Sequence, residues 1–260
     1  MANIRGEIIP PSKPTIDVTF AIAALNEERL IADFVTQAHA TVAPLLDRFE
    51  FILVDDGSSD RTGAIMEELA QSLADTGVLH NPVNQGLGEC YKRALRQARY
   101  PYYMLLCGDG GLPAASLPPI LAKVGEADMV LPYITNLRRI KSPLRYALSR
   151  GYTGLLNLLF GLDVKYYNGL PVHRVDLLRG LAIGSAGFGF QAEIIIKLIR
   201  SGHSYTQVGV EGSEKSGRSR ALRPGSVLSV ASTFATLVRE IAGHGKRGRD
   251  KQRAGSLEPD

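Results

Sequence analysis

The chain runs to 260 residues, 45% hydrophobic and 22% charged, with a formal net charge of +4. This length and balance predict a soluble globular protein with a substantial core, built as one large domain or two small ones. Its two cysteines, Cys90 and Cys107, exclude a disulfide framework and a zinc spacing, and no apolar run reaches the ~18 residues of a bilayer span.

Residues 1–15 contain Pro10, Pro11 and Pro14 and read as an extended arm. Asp17–Leu25 is a strand candidate, followed by Asn26-Glu27-Glu28 and a helical pattern from Arg29 to Leu46 with acidic residues near its start. Phe49–Val54 reads as a second strand and Arg61–Asp75 as a second helix. Gly77–His80 is a short third strand, Asn84–Gly88 a turn, and Glu89–Ala98 a third helix. Tyr102–Cys107 is a fourth strand ending at Gly108-Asp109-Gly110-Gly111. Leu117–Lys123 is helical and Asp128–Leu131 extended. Strands alternating with helices predict an α/β fold with a mostly parallel central sheet and helices on both faces. Further on, Lys141–Leu159 reads as an amphipathic helix with basic residues on one side, Phe188–Arg200 as a helix, and Ser204–Val210 as a strand. The polar stretch Glu211–Gly225 reads as a mobile loop, Ser226–Ala242 as a last helix, and 243–260 as a disordered basic tail. One domain over 16–242 is expected.

Phe51-Ile52-Leu53-Val54-Asp55-Asp56-Gly57-Ser58 places two carboxylates at the carboxyl end of a buried strand, the edge of an open α/β sheet where ligands bind. Such a pair accepts hydrogen bonds from a base or ribose, or helps hold a cation. Asp60 or Ser59 is a simple cap for the next helix. Basic residues cluster at Arg138, Arg139, Lys141, Arg145 and Arg150, again at Lys215, Arg218, Arg220 and Arg223, and in the tail. Such clusters suit phosphates, an anionic lipid surface or nucleic acid, and equally an ordinary solvated face. Without interleaved aromatics or a recognition motif, nucleic acid is not the expected partner.

Taken in order, Ala24-Leu25-Asn26-Glu27-Glu28, Asp55-Asp56-Gly57-Ser58, Asn84-Gln85-Gly86-Leu87-Gly88 and Gly108-Asp109-Gly110 resemble the family 2 glycosyltransferases of the GT-A fold. The subgroup most resembled is the polyprenol-phosphate sugar transferases, over roughly residues 16–240. The resemblance implies a GT-A (nucleotide-diphospho-sugar transferase) domain and a GDP- or UDP-sugar donor. It implies that Ala23, Ala24, Leu25, Asn26 and Glu27 line the base and ribose, that Asp55 accepts from the base with Asp56 beside it, and that Asn84, Gly86 and Gly88 form a turn close to the nucleotide. Relatives carry Asp-x-Asp-x-Gln after the fourth strand, holding Mg²⁺ or Mn²⁺. Here Cys107 and Gly111 replace two of those residues, leaving Asp109, next to Gly108, as the catalytic and metal candidate. A thiol is a soft ligand for a hard cation. The metal could bind through Asp109, diphosphate and water, protein cations could replace it, or activity could be lost.

Arg145 and Ser149, four apart on a helix, resemble the stretch that meets the acceptor phosphate in relatives. Tyr166–Arg174 resembles a later family region, with Tyr166 where Asp is usual; Asn168-Gly169 also reads as a hairpin turn. Glu193 reads either as a residue ordering the site or as a surface acid paired with Lys197. Gly217–Arg220 resembles a loop that would close over phosphate, with Lys215, Arg218 and Arg220. The expected function is an inverting sugar transfer to an acceptor, a polyprenyl phosphate at the membrane surface. The alternatives are a sugar-nucleotide-binding protein with lost or altered catalysis and a transferase with a non-lipid acceptor. The expected location is cytoplasmic and peripheral at the membrane face, with no signal peptide. Ser226–Ile241 and the basic tail are the candidates for membrane contact. The sequence leaves the oligomeric state open.

Overall fold

The computed structural model describes residues 16–185 and 189–213. Seven strands form one sheet: β1 Val18–Ala24, β2 Phe49–Asp55, β3 Thr76–His80, β4 Tyr102–Cys107, β5 Met129–Ile134, β6 Val172–Arg174 and β7 Tyr205–Val210. Eight helices connect or follow them among the described residues: α1 Ile31–Val42, α2 Thr62–Ser72, α3 Leu87–Gln97, α4 Leu117–Leu121, α5 Leu137–Ile140, α6 Pro143–Phe160, α7 Val175–Arg179 and α8 Phe190–Arg200. The predicted arm at 1–15, the helix at 226–242 and the tail at 243–260 lie outside the described residues.

The strand order is β3-β2-β1-β4-β6-β5-β7. All pairings are parallel except those of β6, which runs antiparallel to both β4 and β5. The reason for the parallel core is in the sequence. Every residue of β1 is buried, as are Glu50–Asp55 of β2 and Tyr103–Leu106 of β4. A strand covered on both faces reads as a continuous apolar run. The strand β6, absent from the sequence reading, is too short to show a period. The short helices α5 and α7 escape for the same reason.

Polar contacts fix the amino-terminal end of the sheet. Buried Glu50 accepts from Thr19 Oγ1 at 2.6 Å, from the Arg99 backbone N at 2.7 Å and from Arg99 Nε at 2.6 Å. Burying a carboxylate requires such compensation. A cavity of about 650 Å³ lies at this end, bordered by Glu50, Leu73, Asp75, Gln97 and Arg99, away from the strand tips that carry the acidic motifs. Helix α6 begins with Pro143 after Ser142 and ends at Gly161 in the left-handed region (φ 65°). Proline at the first turn is the expected start signal and glycine past the last turn the expected stop.

Candidate active site

Register builds the site. Ala24, Asp55 and His80 are successive partners across the tips of β1, β2 and β3, and Ala23 pairs with Cys107 of β4. Parallel strands in register bring their carboxyl ends to one edge, so motifs far apart in sequence become neighbours. The backbone carbonyls of Ala24 and Ala23 then accept from Asp56 N and Gly108 N, each at 2.9 Å. The side chains of Ala23 and Ala24 are buried, so what these residues give the edge is backbone.

The turn after β1 and the turn after β2 are zipped together. Asn26 N donates to Ser58 Oγ at 3.0 Å, and Ser59 N donates to Asn26 Oδ1 at 2.8 Å. Glu27 N donates to Thr62 Oγ1 at 2.8 Å, and that hydroxyl donates to Asp60 Oδ1 at 2.6 Å. Asp60 thus caps α2, as its sequence position implies, with Thr62 N donating to Oδ1 at 2.9 Å. Asn26 itself sits at φ 56°, a conformation asparagine tolerates better than most residues. Half-buried Leu25 precedes it, and Glu27 O starts α1 by accepting from Leu30 N and Ile31 N.

The two aspartates have different surroundings. Asp55 Oδ1 accepts from Ser58 N at 2.9 Å, and Oδ2 faces His80 Nδ1 at 3.1 Å. Burial pushes its pKa up, but the Ser58 and His80 hydrogen bonds outweigh that and hold it below the usual carboxylate value. Asp56, buried as Asp55 is, takes its partners from the 81–86 segment. Its Oδ1 accepts from Asn81 Nδ2 and Gln85 N, both at 2.8 Å, and its Oδ2 from Gly86 N at 3.0 Å. Asp56 therefore shapes the loop that carries Asn84, Gly86 and Gly88. Asn84 is exposed on that loop and Gly88 is buried in the first turn of α3. Gly86 lies at φ 91°, ψ 161°, a conformation reserved for glycine. Gly57 (φ +73°) meets the same loop: a Cβ there would fall 2.6 Å from the Val83 carbonyl carbon.

At the tip of β4, Gly108 packs on Ile31 and Ala24, and half-buried Asp109 accepts from Gly111 N at 3.0 Å. Ser213 Oγ donates to Gly110 O at 2.6 Å, which ties the segment after β7 to this turn. Among the described residues no group of three or more His, Cys, Asp or Glu side chains could hold a metal ion. The donor set near Asp109 is one carboxylate and a thiol-bearing neighbour, which does not amount to a protein-built Mg²⁺ or Mn²⁺ site.

Arg145 and Ser149 lie on α6, and Lys141 Nζ bridges Ser149 Oγ at 3.4 Å and Tyr166 Oη at 3.2 Å. Beside them is a cavity of about 410 Å³ that the sequence did not announce. Tyr146 and Arg150 line it from the next face of α6, with Arg138, Lys165, Tyr133 and Tyr166. No carboxylate lines it, and none of Arg138, Arg150 and Lys165 forms an ion pair with a described residue. Glu193 is buried rather than on a helix surface. It accepts from Gly184 N, Ser185 N and Lys197 Nζ at 2.9, 2.9 and 2.7 Å, so it orders the 184–185 segment. Lys215, Arg218 and Arg220 lie outside the described residues, as does the loop proposed to carry them. The residues that sequence reasoning missed are His80, Asn81 and Ser58, which hold the aspartates. Their signal was only that they end or follow strands.

The family model for "Glycosyl transferase family 2" matches residues 19–174. The chain belongs to glycosyl transferase family 2. This family 2 transferase is 28% identical over 180 residues to an undecaprenyl-phosphate mannosyltransferase of Micrococcus luteus, covering 64% of this chain and 72% of that protein. It is 26% identical over 261 residues to a polyprenol monophosphomannose synthase of Mycolicibacterium smegmatis, covering 94% and 92%. Among solved structures it resembles glucosyl-3-phosphoglycerate synthase from Mycobacterium tuberculosis in complex with Mn²⁺, UDP and phosphoglyceric acid. The TM-score is 0.65, with 21% identity over 85% of this chain and 78% of the other. At that identity the likeness establishes the GT-A fold alone. The acidic motifs occupy the carboxyl edge of that fold's sheet, and the protein is a glycosyltransferase.

Proposed function

We propose that this transferase moves a sugar from a nucleotide-diphosphate donor to a polyprenyl phosphate, inverting the anomeric centre. The donor nucleotide is assigned to the β1–β2–β4 edge, with Asp55 accepting an N–H of the base and the turns at 25–27 and 84–88 flanking base and ribose. An acceptor phosphate oxygen attacks the anomeric carbon, the bond to the diphosphate breaks, and the nucleoside diphosphate leaves with its electron pair. The attacking phosphate is ionised near neutral pH, so no strong general base is needed. Catalysis comes from positioning and from cationic stabilisation of the departing charge. Asp109 is the one motif carboxylate available to a divalent cation arriving with the donor; no step here depends on it.

The observation that carries the lipid acceptor is α6. Leu144, Leu148, Leu155, Leu158 and Leu159 are 66, 53, 47, 81 and 47% exposed, while Thr153, Leu156 and Phe160 on the other side are buried. Residues 144, 148, 155 and 159 fall on one stripe of the helix. An exposed leucine stripe on a helix that also carries exposed Arg150, in a chain with exposed Arg138 and Arg139 just before it, suits an anionic lipid surface, and the cationic cavity that Arg138 and Arg150 line suits a headgroup phosphate. Among the described residues no helix is long and apolar enough to cross a membrane, so contact is proposed to be peripheral. The named acceptors of the two relatives point the same way. A second reading, a small soluble phospho-acid acceptor, is favoured by the same cavity and leaves the leucine stripe unexplained.

Transfer assays with UDP- and GDP-sugars decide between them. With undecaprenyl phosphate in anionic vesicles, labelled sugar should enter the organic phase. Product confined to the aqueous phase with a phosphoglycerate acceptor, and none with lipid, would overturn the lipid reading. EDTA in parallel reactions reports whether transfer needs a divalent cation.

A further inference from the structure

We propose that His80 is the positioning residue of Asp55, fixing the carboxylate with which this enzyme accepts the donor base. This rests on the assignment of Asp55 to the nucleotide. The geometry is a clamp. Asp55 ends β2 and His80 ends β3, as direct register partners. The ring presents Nδ1 to Asp55 Oδ2 at 3.1 Å and Nε2 to Glu67 Oε1, from α2, at 2.8 Å. Ser58 N holds the other Asp55 oxygen at 2.9 Å. On the helix side the space is closed: a Cβ at Gly63 would lie 2.7 Å from Asp55 Oδ2 and 3.2 Å from His80 Cε1. Ser58 and His80 thus hold the two oxygens of Asp55 from different sides, and a carboxylate so held keeps acceptor capacity for a ligand N–H.

Two carboxylates on one ring select its protonation state. An imidazolium donates from both nitrogens. A neutral imidazole has one N–H and one lone pair, so either Asp55 or Glu67 then faces a lone pair. The charged groups around the ring are Asp55 on β2 and Glu67 on α2. From α3, the Arg93 guanidinium donates to the His80 carbonyl oxygen at 2.6 Å and to Asn81 Oδ1 rather than to the ring. Hydrogen bonds that the ring donates to Glu67 and then to Asp55 raise the histidine above its ordinary value, with burial opposing them. The clamp is complete on the acid side of that raised value and loosens as pH climbs through it.

The test is calorimetric titration of wild type, His80→Ala, His80→Gln and Asp55→Asn with UDP and with GDP, between about pH 5.5 and pH 8.5 to span histidine's range. Circular dichroism and thermal melts accompany it. Wild-type affinity for the nucleotide that binds should fall as pH rises. His80→Ala should bind ~10-fold more weakly at the acid end and lose the pH dependence. His80→Gln, with one side-chain N–H donor group, should recover part of the affinity but none of the pH dependence. Asp55→Asn should lose binding. Should the His80 variants keep wild-type affinity and pH profile while Asp55→Asn fails, or lose only thermal stability, the positioning role is refuted. Normal binding by Asp55→Asn, or no nucleotide binding by wild type, removes the donor assignment itself and this proposal with it.

Discussion

At Asp55 and Asp56 two identical side chains, adjacent in sequence, take opposite tasks. Asp55 is held at the edge by a backbone N–H and a histidine, whereas Asp56 is spent on Asn81, Gln85 and Gly86. The sequence placed both at the strand end; neither composition nor spacing could assign which one binds the following loop, because that loop lies 25 to 30 positions on. Gly57 is what lets that loop come close. Gly57→Ala would put a methyl against the Val83 and Asn84 backbone at φ +73°, where neither side can yield cheaply. The expected cost is at least about 2 kcal/mol in urea unfolding, from strain and displaced contacts. A loss under 0.5 kcal/mol, the range of an ordinary surface substitution (roughly ±0.5), would show that the close approach is not enforced.

Element by element, the sheet was legible wherever strands are buried on both faces. Tyr102–Cys107 has the same bounds in sequence and structure, and Val18–Ala24 and Phe49–Asp55 lie within a residue of expectation. Helix α6 was legible as a helix but not as a surface. Its basic residues suggested one polar side; packing leaves a leucine stripe outside, because Thr153, Leu156 and Phe160 are the positions that face the core. Replacing Leu148 and Leu155 together by Ser removes apolar area from that stripe without touching buried residues. Sedimentation with anionic vesicles should then drop several-fold, with the melting temperature kept within a few degrees, as expected where only exposed groups change. Unchanged vesicle binding would leave the stripe without a membrane role.

Over the whole molecule, acid stability is expected to depend on a histidine outside the site assigned to the donor. His173 sits on β6 in the sheet interior, fully buried, with Nδ1 unpartnered, and burial pushes it down to about 3. Its folded value lies below its unfolded one, so the sign follows the depressed case. Its contribution is fully present above about pH 6.5 and is lost progressively as pH falls toward 3. Between pH 7 and pH 5 this group alone should cost about 2 kcal/mol, at ~1.4 kcal/mol per pH unit below the unfolded value. His80, raised by its two carboxylates, acts in the opposite direction and must be separated from it. Urea titrations of wild type and His173→Leu at both pH values supply the difference. Parallel pH dependence in the two proteins would mean that His173 is not held neutral.

The sequence by itself determined the α/β alternation, the parallel core and the acidic strand-end motifs, because all three are written locally: continuous apolar runs make buried strands, and the residues after them must lie at the carboxyl edge. It also left Asp109 as the single carboxylate in the turn that follows β4. Only the tertiary structure decided which partners each of the two carboxylates takes, that His80 meets Asp55, that β6 enters the sheet reversed, and that a cationic cavity opens beside α6. Those outcomes depend on pairings between segments tens of residues apart, where a side chain's partner is set by register and packing rather than by its neighbours in the chain.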